Sequence, residues 1–136
     1  MLKAPPFLRQ PFQAPRELRK AVNEIGSPRV VPGDAVLFQQ GTPPKGVFLV
    51  SSGKVALSLN QRKAKNYWVA DAGSLLGLPA TVRNTPYSLT AKAIEDTNVV
   101  FVSRAKMRRL LLSNPKLCFE AVRILGAEVR SIRLKE

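Results

Sequence analysis

A mainly β domain flanked by helices is the fold class that this 136-residue sequence predicts. Between Val30 and Val102 the chain breaks into short apolar or alternating runs separated by Gly, Pro, Asn and Ser, the pattern of several short strands in a sandwich, roll or barrel. On either side lie stretches with helical spacing. The composition, 45% hydrophobic and 23% charged, is that of an ordinary globular chain with a real core.

The elements follow in order. Pro5, Pro6, Pro11 and Pro15 make the start an extended, Pro-rich arm. After Pro15, RELRKAVNEIG reads as a short helix with Leu18, Val22 and Ile25 on one face, and Gly26 ends it. Pro28 and Pro32 then block further helix. The expected strands are Val36 to Phe38, Val47 to Ser51, Lys54 to Leu59, Asn66 to Ala70, Ser88 to Ile94 and Val99 to Val102, with a turn at Asn60–Gln61. Leu75 to Ala80 has the texture of a short helix. Ser103 caps a basic helix running to Leu112. Asn114 and Pro115 then suit the Ncap and N1 positions of a last helix. Three segments result: 1–29, arm and short helix; 30–103, the β domain; 104–136, C-terminal helices.

That last helix carries Cys118, Val122, Leu125, Val129 and Ile132 at 4-3-4-3 spacing, the a/d seam of a helix pair. Leu117, Ala121 and Ile124 form a second apolar line beside it. Two lines fit a helix that packs on its own domain and also meets a second copy, so a homodimer is expected.

The composition closes several classes of chemistry. With no histidine and one cysteine, Cys118, the chain has no Ser-His-Asp or Cys-His catalytic set. The same shortage leaves no ligand set for haem, an iron–sulfur cluster or zinc. The carboxylates are few, and neither Asp34 nor Asp71 has an evident acid–base partner. No catalytic residue, metal site or cofactor is expected. The longest apolar runs are far too short to span a bilayer, and the start lacks the apolar stretch of a signal peptide. A soluble, cytoplasmic protein without a membrane partner is the expectation.

The net charge of +13 is spread as +4, +3 and +6 over the three segments. Its densest cluster is Arg104, Lys106, Arg108 and Arg109. Such a surface favours nucleic acid, a small anionic ligand or an acidic protein. A solvated cationic surface is the plainer account, because no basic run is interleaved with aromatic residues for stacking. Near the middle, Asp71-Ala-Gly-Ser-Leu-Leu-Gly-Leu-Pro-Ala-Thr81 offers turn amides able to hold an anion. It matches neither a Walker A loop nor a dinucleotide fingerprint.

The order of glycines and strands resembles the cyclic-nucleotide-binding domain of the Crp/Fnr regulator superfamily. Pro32-Gly-Asp-Ala-Val-Leu-Phe-Gln-Gln-Gly41, Val47-Phe-Leu-Val-Ser-Ser-Gly-Lys-Val-Ala56, Gly73-Ser-Leu-Leu-Gly77, Tyr87-Ser-Leu-Thr-Ala-Lys-Ala93 and Asn114-Pro-Lys-Leu117 carry the resemblance. It implies a double-stranded β-helix of the jelly-roll, β-roll kind, eight strands with an N-terminal helix and a long C-terminal dimerisation helix. In that family a cassette opening Gly-Glu and ending near Arg-Ser/Thr holds the cyclic nucleotide. Set on Gly73, the cassette has Ser74 in the glutamate slot, Tyr87 in the arginine slot and Ser88 in the hydroxyl slot. Arg83 stands four residues before the arginine slot. Losing two charge-assisted hydrogen bonds weakens binding by about two to four orders of magnitude.

The resemblance therefore implies a non-catalytic sensor module with degenerate cAMP contacts and a different ligand or none. Its pocket would use Gly73, Ser74, Leu75, Leu76, Arg83, Tyr87 and Ser88, with amides at Leu75 and Leu76 donating to the ligand. Tyr87 itself reads as a packing residue. Family members continue into a helix-turn-helix that reads DNA, so the chain is either a stand-alone module or part of a longer regulator. Direct nucleic-acid binding through the basic surface and a ligand-free dimerisation or protein-interaction domain are the alternatives.

Overall fold

The computed structural model describes residues 12–59 and 67–124. In chain order these form α1 (Arg16–Ile25), β1 (Ser27–Val31), β2 (Val36–Phe38), β3 (Gly46–Ser52), β4 (Val55–Ser58), β5 (Tyr67–Ala70), β6 (Leu75–Leu76), α2 (Leu78–Arg83), β7 (Thr90–Ala93), β8 (Thr97–Ser103) and α3 (Arg104–Ser113). A further helix, α4, occupies 115–124. The strands make two antiparallel sheets of order β1-β8-β3-β6 and β2-β7-β4-β5. This is the expected jelly roll with flanking helices. The Asn60–Gln61 turn lies outside the described residues.

The first sheet is the middle of three layers. Along β3, Phe48 and Val50 join the core between the sheets, while Val47 and Leu49 face the helices. On β8, Val99 and Phe101 point to the inter-sheet core, and Val100 and Val102 to the helix side. Alternating side chains both need burial, which is why β3 and β8 read as unbroken apolar runs. Leu18 and Val22 of α1, Met107 and Leu111 of α3, and Leu117, Ala121 and Ile124 of α4 close the helix side.

β1 begins at Ser27, three residues ahead of the expected start of the β domain. Gly26 closes α1 through its amide to the Val22 carbonyl at 2.9 Å, and the chain turns at once against β8. Pro28 fits there because β1 is an edge strand and lacks a second ladder to donate to.

Leu75 and Leu76 also differ from expectation: they are strand β6, not the first turn of a helix. They stand opposite Leu49 and Phe48. Leu75 enters the helix-side core and Leu76 the inter-sheet core, a division only an extended pair can make. The helix starts after Gly77, whose φ of +83° is the left-handed turn between the two elements.

The C-terminal caps form as expected. Ser103 Oγ accepts from the Lys106 amide at 3.3 Å, and Asn114 Oδ1 accepts from the Leu117 amide at 3.2 Å. The two apolar lines of α4 separate. Leu117, Ala121 and Ile124 are buried, whereas Cys118 and Val122 are exposed, Val122 at 58%. Leu125, Val129 and Ile132 lie outside the described residues.

Leu18 is wholly enclosed between α1 and the middle sheet. Leu18→Ala should lower the unfolding free energy by about 2–5 kcal/mol in urea titrations, whereas Asn23→Ala, exposed on the same helix, should stay within about 0.5 kcal/mol.

Candidate functional site

The segment from Asp71 to Ser88 is tied to β3 before it is tied to anything else. The Gly73 amide donates to the Val50 carbonyl at 2.8 Å, and the Val50 amide to the Ser74 carbonyl at 2.9 Å. Gly73 takes φ +95°, and a Cβ there would lie 2.6 Å from Gln13 Oε1 and 3.1 Å from Arg19 Nη1.

The chain's own N-terminal residues occupy the other edge. Gln13 bridges antiparallel to Ser74. The Leu75 amide donates to the Phe12 carbonyl at 2.8 Å, and the Ala14 amide to the Gly73 carbonyl at 3.0 Å. Gln13 Nε2 donates to the Ala72 carbonyl at 2.9 Å and to Asp71 Oδ1 at 3.2 Å. The expectation that the Leu75 amide serves a ligand is corrected by this: Phe12 has taken it. Leu76 is paired in the sheet opposite Phe48. Both leucine side chains are core.

Gly77 rather than Gly73 opens the helix of this segment. The Thr81 amide and hydroxyl both donate to the Gly77 carbonyl, at 3.1 and 2.8 Å. If the Gly-Glu start of a nucleotide cassette is set on Gly77, its glutamate slot holds Leu78, which is fully buried. If it is set on Gly73, the slot holds Ser74, also buried. Neither placement provides a carboxylate.

Tyr87 is 3% exposed and its hydroxyl is fully used. It donates to the Gly46 carbonyl at 2.8 Å and accepts from the amides of Lys45 at 3.0 Å and Gly46 at 3.2 Å. One donor and two acceptor positions are all a phenol has. The ring stacks on Phe38, centroids 4.1 Å apart, and would meet any Cβ on Gly77 at 2.9 Å. Tyr87 is therefore a packing residue. Phe12, Leu57, Leu76, Ala80 and Leu89 gather around it and leave a cavity of only about 10 Å³, room for roughly one water. Ser88 lines that cavity, but Arg83 does not: it is exposed on the last turn of α2. The residues expected to form one pocket thus divide into a buried set, Gly73, Ser74, Leu75, Leu76 and Tyr87, and the exposed Arg83 and Ser88.

Two open grooves flank α1. One, of about 690 Å³, is walled by Ile25, Leu110 and Ser113 with Lys106 and Arg109 of the basic cluster. Arg108 is exposed outside that wall, and Arg104 is half-buried. The other, of about 620 Å³, lies between α1 and the Ala72–Gly73 turn and carries Arg16, Arg19 and Lys20. These three cations were not singled out from the sequence as a site. Their i, i+3, i+4 spacing placed them on one helix face, but no sequence signal put Gly73 opposite. Among the described residues no group of three or more His, Cys, Asp or Glu could hold a metal, and no helix is long and apolar enough to cross a membrane.

The model of the cyclic nucleotide-binding domain family matches residues 28–114. The chain is 23% identical over 122 residues to the anaerobic regulatory protein of Bacillus subtilis (strain 168), covering 88% of this chain and 51% of that protein. Among solved structures, the catabolite activator protein of Thermus thermophilus superposes with a TM-score of 0.75 at 23% identity, over 89% of this chain and 58% of that one. The N-terminal domain of a transcriptional regulator from Streptomyces coelicolor A3(2) gives 0.66 at 19% identity, over 94% and 95% of the two chains. The chain spans about half the length of its curated relative. The structural likenesses show a shared fold.

Tyr87→Phe keeps the ring stack but strips two amides and a carbonyl of their shared partner. It should cost about 1–3 kcal/mol of stability by urea unfolding.

Proposed function

Because the chain belongs to the cyclic nucleotide-binding domain family, we propose that it is a non-catalytic regulatory module whose nucleotide cassette is filled by its own side chains. It responds to a ligand other than cAMP or cGMP, or to none. One observation carries this reading: the space beneath Tyr87 is about 10 Å³, and the hydroxyl standing in the arginine slot is spent on Lys45 and Gly46. A bound cyclic nucleotide would need a cleft of a few hundred Å³. It would also need a cation for its phosphate, and Arg83 faces solvent instead.

The module works as a homodimer. Support comes from α4, which buries Leu117, Ala121 and Ile124 in its own domain and leaves Cys118, Phe119 and Val122 outward. An exposed apolar line beside a buried one suits a second copy of the same helix. The similarity to an anaerobic regulatory protein and to a domain of a transcriptional regulator supports the regulatory role, and DNA reading would come through a further domain of a longer regulator. The reading requires no metal or prosthetic group and places the protein in the cytoplasm.

Two measurements test it. Millimolar cAMP or cGMP should leave the melting temperature within about 1 °C, whereas a micromolar ligand at that concentration would add about 4.1 kcal/mol and several degrees. A shift of that size would show that the cassette opens and binds. Separately, Val122→Asp should convert the dimer to monomer in sedimentation velocity with the fold intact by circular dichroism. A mass equal to that of the unmutated chain would remove α4 from the interface.

A further inference from the structure

We propose that the groove between α1 and the Ala72–Gly73 turn is a ligand site of its own, taking a small phosphate-bearing anion on Arg16, Arg19 and Lys20. It lies apart from the cassette cavity: the two share no lining residue.

Four observations converge on it. The open groove offers about 620 Å³, within the range of roughly 300–1,000 Å³ usual for small-molecule clefts. Its lining sets three cations against one carboxylate, Glu24, which also lines the groove on the other flank of α1. Arg19 is half-buried, and its Nε is enclosed without a hydrogen-bond partner. With Nε shut in, an acceptor in the groove meets the terminal nitrogens of the guanidinium, of which Nη1 lies beside Gly73. Finally, Gly73 lacks the side chain that would press on the Arg19 guanidinium, since a Cβ would sit 3.1 Å from Nη1.

The chemistry of the ligand follows from the donors. Arg19 presents a planar fork, and Arg16 and Lys20 add charge one turn before it and one residue after it. A group with two negative charges and several acceptor oxygens matches this set better than a single carboxylate. The backbone does not contribute: the Gly73 amide is already bonded to Val50. Asn23 and Ser51 line the same groove and offer neutral polar atoms to the remainder of the ligand. Val50 and Gly73, which line it too, carry the hydrogen bonds that pin the cassette segment to β3. Occupancy would therefore bear on the back of the cassette without entering it.

A titration of the ¹⁵N-labelled 136-residue chain with sodium pyrophosphate tests this, with ionic strength held constant by sodium chloride. The expected result is a saturable set of amide shifts centred on Asn23, Ser51 and Gly73. Arg19→Gln should weaken it by about ten- to a hundredfold and Arg19→Lys by less. The double variant Lys106→Gln, Arg109→Gln, on the other flank of α1, should titrate like the unmutated chain. Should Arg19→Gln lose native peak dispersion, Arg19→Lys and Lys20→Gln decide in its place. Shifts that never saturate, shifts centred on α3, or unchanged affinity in the Arg19 variants would overturn the proposal. So would a short DNA duplex that binds through Arg19 where pyrophosphate does not, because the phosphate read there would then be a nucleic-acid backbone. Cyclic nucleotides play no part in the titration, so its result stands apart from that of the melts.

Discussion

The two-sided burial of β3 is the constraint from which the remaining geometry follows. Val47 and Leu49 must reach the helices while Phe48 and Val50 reach the second sheet. A register slip of one residue would send each side chain to the wrong layer, so the pairing with β8 and β6 is held firmly. Val50 then exchanges backbone bonds with Gly73 and Ser74. The cassette segment is thereby located against a strand that cannot shift. α1, packed through Leu18 and Val22 on the outer side of the same sheet, is located with it.

Within that frame Ser74, Leu75, Leu76, Leu78 and Tyr87 are buried. Removing one member of a buried charged pair leaves an uncompensated charge, but replacing the whole set with well-packed apolar groups is often neutral or stabilising. That physics fits the reading proposed for this segment, in which leucine or serine takes the glutamate slot and tyrosine the arginine slot. Tyr87 supplies bulk through its stack on Phe38, and its hydroxyl settles three backbone atoms where the chain enters β3. Phe12 completes the filling from the N-terminal side, set edge-on to Trp68 with ring centroids 6.4 Å apart. Its carbonyl caps the exposed edge of β6, which would otherwise present unpaired amides.

Charge is arranged differently from hydrophobic matter in this protein. The apolar residues converge on two contiguous cores, whereas many of the described cations, Arg16, Arg19, Lys20, Lys106, Arg108 and Arg109 among them, sit on the helices that cover the middle sheet. Around α1 they gather in the two grooves at its flanks, where low-dielectric walls strengthen the local field. An anion meets this field outside the jelly roll, on the face of the sheet opposite the cassette cavity.

The sequence alone determined the order of the elements, because period, punctuation and capping are local properties. Alternation marked β4, apolar runs marked β3 and β8, and the oxygen-bearing side chains of Ser103 and Asn114 marked two helix starts. The same local information set Ser74 and Tyr87 in the glutamate and arginine slots that the family resemblance implies. Tertiary structure alone decided what those residues do. Leu75-Leu76 is short enough to be strand or helix, and only the leucine-sized spaces in two different layers made it strand. Phe12 gave no signal among the prolines, since its role depends on Leu75, at an edge far along the chain. Arg19 was one basic residue among 22 until Gly73 was folded against it. Periodicity is written into neighbours along the chain, whereas a cavity or a charged groove exists only between segments that the fold brings together.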